Sequence, residues 1–117
     1  MTIQEVAARL IELCRAGDFE TAYTELYSDD IKSYEPEGWG PRETVGMAAK
    51  REKSKAWQES IAEMHGSTMS DPVFANETFA CSSSFDATMK DGTRMNMMEL
   101  NVYTVKDGKI VREEFFA

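Results

Sequence analysis

Apolar side chains recur at helical spacing through the first part of the chain and change to a period of two from Gly66 onward. Ile3, Val6, Ala7, Leu10, Ile11, Leu13 and Cys14 mark one face of a helix over residues 3–15. Gly17 ends it, and Asp18 can cap a second helix with the stripe Phe19, Ala22, Tyr23, Leu26 and Tyr27. Ser28-Asp29-Asp30 reads as a turn, and Ile31 to Tyr34 as a brief strand stopped by Pro36. Residues 36–46 hold Pro36, Gly38, Gly40, Pro41 and Gly46, which predicts a loop carrying Trp39. The charged run from Met47 to His65 predicts a third helix, with Ala49, Lys53, Trp57, Ile61 and Met64 near one face and Gly66 beyond its end. Strands are predicted at about 67–75, 77–89, 94–105 and 109–116, joined by Asn76-Glu77, Lys90-Asp91-Gly92 and Lys106-Asp107-Gly108.

The two Lys-Asp-Gly turns decide which residues share a sheet face. A two-residue loop at the first would set Asp86 opposite Met97 and Ser84 opposite Glu99. A three-residue loop pairs Met89 with Thr93, so that Phe85 meets Met97, Ser83 meets Glu99 and Phe79 meets Tyr103. The second choice matches apolar with apolar and is preferred, since a slip of one residue reverses every side chain. The same geometry at the second turn pairs Val105 with Lys109, Asn101 with Glu113, Glu99 with Phe115 and Tyr103 with Val111. One face then carries Phe79, Cys81, Ser83, Phe85, Met95, Met97, Glu99, Asn101, Tyr103, Val111, Glu113 and Phe115. The other carries Met98, Leu100, Val102 and Ile110 among polar residues, and its apolar strip suggests a homodimer interface. Two carboxylates on the apolar face, diagonal neighbours roughly 7 Å apart, are costly to bury unless paired or protonated. Glu99 and Glu113 thus either line a cavity with raised pKa values or form ion pairs with Lys53, Lys50 or Arg94.

Composition narrows the function. The 117 residues fit one domain, residues 1–117, with a single core. Thirteen Lys and Arg against 21 Asp and Glu leave a net charge of −8, which argues against nucleic acid and anionic membranes as partners. No apolar run is long enough to span a bilayer, and Met1 to Glu5 lacks the character of a secretory signal. Two distant cysteines, Cys14 and Cys81, predict neither a disulfide scaffold nor a zinc site and point to a reducing cytoplasm. One histidine, His65, excludes any site needing two imidazoles; near neutral pH it could switch charge within a pocket. Trp57 lies at helical spacing, whereas Trp39 sits on a loop and could cover a pocket.

Gly17-Asp18-Phe19, Leu26-Tyr27-Ser28-Asp29-Asp30, Tyr34-Glu35-Pro36-Glu37-Gly38 and the closing hairpin Glu99 to Val111 occur in this order over nearly the whole chain. In these residues the chain resembles the nuclear transport factor two-like superfamily, and within it the SnoaL-like and ketosteroid-isomerase-like branches. The resemblance implies an α+β cone: three N-terminal helices on a strongly curved antiparallel sheet, enclosing an apolar pocket for a small, carbonyl-bearing molecule. It implies cofactor-independent acid/base chemistry without a metal, such as isomerisation, cyclisation or dehydration, or else ligand binding or dimerisation without catalysis. Ketosteroid isomerases carry a catalytic Asp just before the proline at this strand end, and that position is Glu35 here. Their oxyanion hole needs a helix Tyr and a protonated Asp on the penultimate strand. The first position falls at Ile11, which cannot donate a hydrogen bond, and the second near Asn101, which can. The candidate catalytic set is therefore Glu35, Glu99, Asn101 and Glu113. The candidate ligand-binding set is Trp39, Trp57, His65, Phe85, Met97, Tyr103 and Phe115.

Overall fold

A computed structural model describes residues 1–117. Thr2 starts helix α1 (Ile3–Arg15) with a capping box: its hydroxyl accepts from Glu5 N at 3.2 Å, and the Glu5 carboxylate accepts from Thr2 N at 2.9 Å. Val6, Ala7, Leu10, Ile11 and Leu13 are its buried face. Gly17, at φ 73°, makes the left-handed turn that ends the segment. Asp18 then caps α2 (Phe19–Leu26) by accepting from Thr21 N at 3.1 Å. The chain passes directly into β1 (Tyr27–Tyr34), and after a loop forms β2 (Glu43–Val45) alongside it.

Helix α3 (Met47–Glu59) is mostly polar and buries only Met47 and Lys50. It stops six residues short of the predicted end at His65. Ile61–Met69 is instead strand β3, antiparallel to β5 (Thr78–Met89), with Met64 opposite Ala87 and Ser67 opposite Phe85. Ser60 to His65 satisfy both periods weakly, and sheet pairing decides the outcome. The predicted strand over 67–75 is likewise split. Pro72 separates β3 from the short β4 (Val73–Ala75), which pairs with β5.

β5, β6 (Arg94–Lys106) and β7 (Lys109–Phe116) form a meander, and the sheet order is β2-β1-β7-β6-β5-β3. The sheet is mixed rather than wholly antiparallel, because β1 runs parallel to β7. The first hairpin has the expected three-residue loop: Phe85 lies opposite Met97, Ser83 opposite Glu99 and Phe79 opposite Tyr103. The second differs. Asp107 (φ 51°) and Gly108 (φ 74°) form a two-residue turn pairing Lys106 with Lys109. A register irregularity between Thr104 and Val105 then brings Tyr103 opposite Glu113 and Asn101 opposite Phe115. Two one-residue errors therefore cancel in parity. Glu113 and Phe115 keep the predicted face, while Ile110 moves into the core.

Helices α1 and α2 lay their stripes on this face. Leu10, Leu26, Ile31, Phe79, Tyr103 and Ile110 belong to the main apolar cluster or its fully buried centre. Phe79 stacks on Tyr103 with ring centroids 4.9 Å apart. The architecture is the expected α+β cone: three helices on a curved sheet, enclosing a cavity between them. No helix is long and apolar enough to cross a membrane.

Candidate active site

Between α1, α2, α3 and the inner sheet face lies a cavity of about 1240 Å³, somewhat larger than most small-molecule sites. Sheet alternation aims Ser83, Phe85, Met95, Glu99, Asn101, Tyr103, Glu113 and Phe115 into it, and α3 contributes Lys50, Lys53, Ser54 and Trp57 at one-turn spacing. Glu35 and Trp39 reach it from the loop after β1.

Glu113 is 1% exposed and fully engaged. Its Oε2 accepts from the Tyr27 hydroxyl at 2.6 Å, and its Oε1 from the Ser33 hydroxyl at 2.9 Å. Lys50 Nζ lies 2.6 Å from Oε1. A charge at this depth is stable only because three donors replace its hydration. Burial is the largest single influence and works against the Lys50 ammonium, but Glu113, with Tyr23 and Glu35 adding to it, raises the lysine pKa overall and favours the charged form. Its ammonium also lies over the rings of Phe115, at 5.2 Å, and Tyr23, at 5.8 Å. Burial and the neighbouring Glu113 push the Tyr27 hydroxyl well above its usual range, which keeps it a donor.

Glu99, two strand positions from Asn101 on β6, has no hydrogen-bond or ion-pair partner in the protein. Burial, then the charge of Glu35, raises its pKa, and Lys50 opposes this only weakly. Glu35 is ion-paired with Lys53 Nζ at 3.3 Å. Asn101 is 3% exposed; its Nδ2 donates to Ser83 Oγ at 3.0 Å, and its Oδ1 is a buried acceptor with no partner. Trp57 meets Phe85 edge to face at 5.4 Å, and Trp57 and Trp39 are both part-exposed at the cavity's edge.

The structure thus brings together Glu35, Glu99, Asn101, Glu113, Trp39, Trp57, Phe85, Tyr103 and Phe115 around one cavity. Two predicted positions lie apart from it. His65 is on β3 rather than at a helix end, and its Nε2 meets Thr88 Oγ1 at 2.6 Å, next to Glu63. Met97 shares the inward parity, but the cavity wall runs through Met95 and Glu99 without it. Beyond the predicted set the structure adds Tyr27 and Ser33. They occupy the same face of β1 as Ile31, and Tyr27, expected at the end of the second helix, instead opens this strand. Cys14 and Cys81 are free; burial pushes the Cys14 thiol up to about 12 and raises Cys81, so neither is a ready nucleophile.

A family model for the SnoaL-like domain matches residues 1–117. Among curated proteins, no sequence matches the chain. Solved structures do. A Mesorhizobium loti protein described as a candidate SnoaL-like polyketide cyclase, with carbohydrate phosphatase given alongside, is 40% identical; the match covers 100% of both chains with a TM-score of 0.93. IdmH from Streptomyces antibioticus, a candidate polyketide cyclase, is 23% identical over 96% of this chain and 88% of its own, with a TM-score of 0.73. TerC, crystallised with polyporic acid, is 19% identical over 96% and 88%, with a TM-score of 0.77. The last two share the fold, and the first shares sequence along its entire length. With the full-length family match, they establish that the chain belongs to the SnoaL-like domain family.

Proposed function

We propose that the cone binds a small, carbonyl-bearing organic molecule and that the protein moves a proton on it, in an isomerisation, cyclisation or dehydration. The observation that carries this reading is the unlike surroundings of two carboxyl groups in one cavity. Glu35 has a cationic partner, Lys53. Glu99 has none, and burial favours its neutral form. Such a pair supplies a base and an acid together, and the reaction needs no cofactor. Glu35 accepts a proton from carbon next to the carbonyl, and Glu99 returns one. Glu113, saturated by its three donors, positions Lys50 rather than transferring a proton. The 40% identical neighbour described as a polyketide cyclase, and the fold neighbour crystallised with polyporic acid, support a small organic ligand.

The test is protein-catalysed exchange of the α-hydrogens of 1-tetralone for deuterium, followed by NMR. Glu35→Gln is expected to slow it by about 10²–10⁴-fold, the usual worth of a general base. Exchange at the wild-type rate in that variant removes Glu35 from the role. One observation favours a second reading, ligand binding without catalysis: Ile11, where the resemblance places a hydroxyl donor, is buried and apolar. Tight binding of 1-tetralone without accelerated exchange selects it.

The outer sheet face fits a homodimer. Met98 is 71% exposed, and Leu100 lies directly opposite Phe116. Sedimentation is expected to give a dimer, and Leu100→Glu a monomer of unchanged helix content. The two free cysteines suit a reducing compartment such as the cytoplasm.

A further inference from the structure

Six charged side chains line the cavity: Arg15, Lys50 and Lys53 against Glu35, Glu99 and Glu113. Two couples account for four of them. Lys50 Nζ lies 2.6 Å from Glu113, and Lys53 Nζ lies 3.3 Å from Glu35. Arg15 and Glu99 are left over. Burial favours the neutral form of Glu99, so the uncompensated charge of the cavity is the Arg15 guanidinium. That group is only partly engaged. Its Nη2 donates to the Met69 carbonyl at 2.7 Å and lies 3.3 Å from Asp71 Oδ1. The Asp71 carboxylate is 93% exposed, so solvent screens this pair and makes it weak. The donors on Nε and Nη1 are unspent, and the guanidinium fork fits a carboxylate. Ala16 and Gly17 also line the cavity and are exposed, so a ligand can reach this end from solvent.

The sheet sets the distance between the two leftover groups. Met69, Ser83 and Glu99 are directly opposed on β3, β5 and β6 and share the inner face. Two strand spacings, roughly 10 Å, therefore separate Glu99 from the Met69 backbone that holds Arg15. Ser83 stands between them; its Oγ accepts from Asn101, and its own proton is not spent in that bond. Burial raises the Cys81 thiol, and Asn101 and then Arg15 work against it, so the Arg15 charge acts on the inner face as well as on solvent.

We infer that Arg15 is the anion anchor of the cavity and that the ligand is an elongated organic acid, its carboxylate on Arg15 and its carbonyl end at Glu99. Six chain bonds between the carbonyl and carboxylate carbons reach roughly 7 Å, and a hydrogen bond to the guanidinium completes the span. The ligand carboxylate displaces only the exposed contact with Asp71. An apolar group beyond the carbonyl meets Phe85, the next inward residue of β5, and Trp57, which packs on it. This inference names a ligand class for the cavity; it rests on the small-molecule reading but not on catalysis.

Calorimetric binding of two keto acids, each compared with its neutral amide, tests it. 6-Benzoylhexanoate has the required reach, and 3-benzoylpropionate, with three chain bonds, does not. In the wild type the long acid is expected to bind about tenfold tighter than its amide, the worth of a charge-assisted hydrogen bond, and the short acid no tighter than its own. Arg15→Gln is expected to bring the long acid down to the affinity of its amide. Asp71→Asn removes the competing carboxylate and is expected to tighten the long acid roughly two- to fivefold without moving its amide. If Arg15→Gln does not fold, that gain decides the matter, and its absence overturns the anchor. A preference that survives Arg15→Gln places the carboxylate on another cation and overturns the proposal, as does an equal preference in the short acid. Binding of acids and amides alike, without preference, overturns the anchor and leaves the cavity reading intact. Failure of all four probes to bind overturns both.

Discussion

Glu113 and Glu99 are the same residue type on neighbouring strands of one sheet, and both point inward. Around Glu113 the fold has assembled a cation and two hydroxyls. Around Glu99 it has assembled none, although Lys50 and Lys53 both stand on the facing helix. Satisfied charges fix structure, because every donor that meets them is removed from the unfolded chain's water. An unsatisfied carboxyl in a wet cavity keeps its capacity to change protonation, which is what proton transfer requires. The cone therefore has a locked region around Glu113 and a titratable region around Glu99, with Lys50 on the border.

Removing one member of the locked pair should break this contrast most severely. Lys50→Met leaves Glu113 buried beside two hydroxyls only, and loss of one partner from a buried ion pair costs about 3–5 kcal/mol. Urea denaturation is expected to show a loss of that order. Adding Glu113→Gln should recover much of it, since a neutral pair needs no compensating charge. If the single variant is as stable as the double, the pair is not a locked unit. Tyr27→Phe sharpens the same point with a smaller effect. It deletes one hydrogen bond to a charged group, and a loss of about 1.5–3 kcal/mol is expected in the same measurement.

The contrast was partly visible before the structure. Alternation along residues 78–89 and 94–105 put Glu99, Asn101 and Tyr103 on one face, and the loop at Lys90-Asp91-Gly92 fixed their partners correctly. The partners of Glu113 were not visible. Tyr27 and Ser33 come from β1, whose parallel pairing with β7 is non-local and leaves no mark in the local sequence pattern. Lys50 and Lys53 were identified as ion-pair candidates, but helix periodicity could not assign each to its carboxylate. His65 was misplaced for a different reason. A short stretch of mixed polarity carries too little periodicity to mark where a helix stops, and pairing of Ile61–Met69 with β5 set the boundary. Met97 shows the limit of parity alone, since it specifies a face but not where the cavity ends along it.

The smallest effect, and the most specific to the titratable region, concerns Glu99. Its folded-state pKa is raised, chiefly by burial and then by Glu35, so the folded protein holds this proton more tightly than the unfolded chain does. The group's stabilising contribution is full below the ordinary carboxylate pKa and is lost as pH rises through the raised value. Glu99→Gln has no such dependence. Wild type and variant should therefore melt closest together at low pH, and the variant should gain relative to wild type as pH rises through that window, with a plateau above it. The gain is modest because the carboxyl still touches solvent in the cavity. Thermal midpoints across the acidic range, measured on both proteins, give the difference directly. A difference that is flat with pH would place Glu99 in water like any surface glutamate. A difference of opposite slope would mean that a cation, Lys50 or Lys53, holds it ionised, and the distinction between the two carboxylates would disappear.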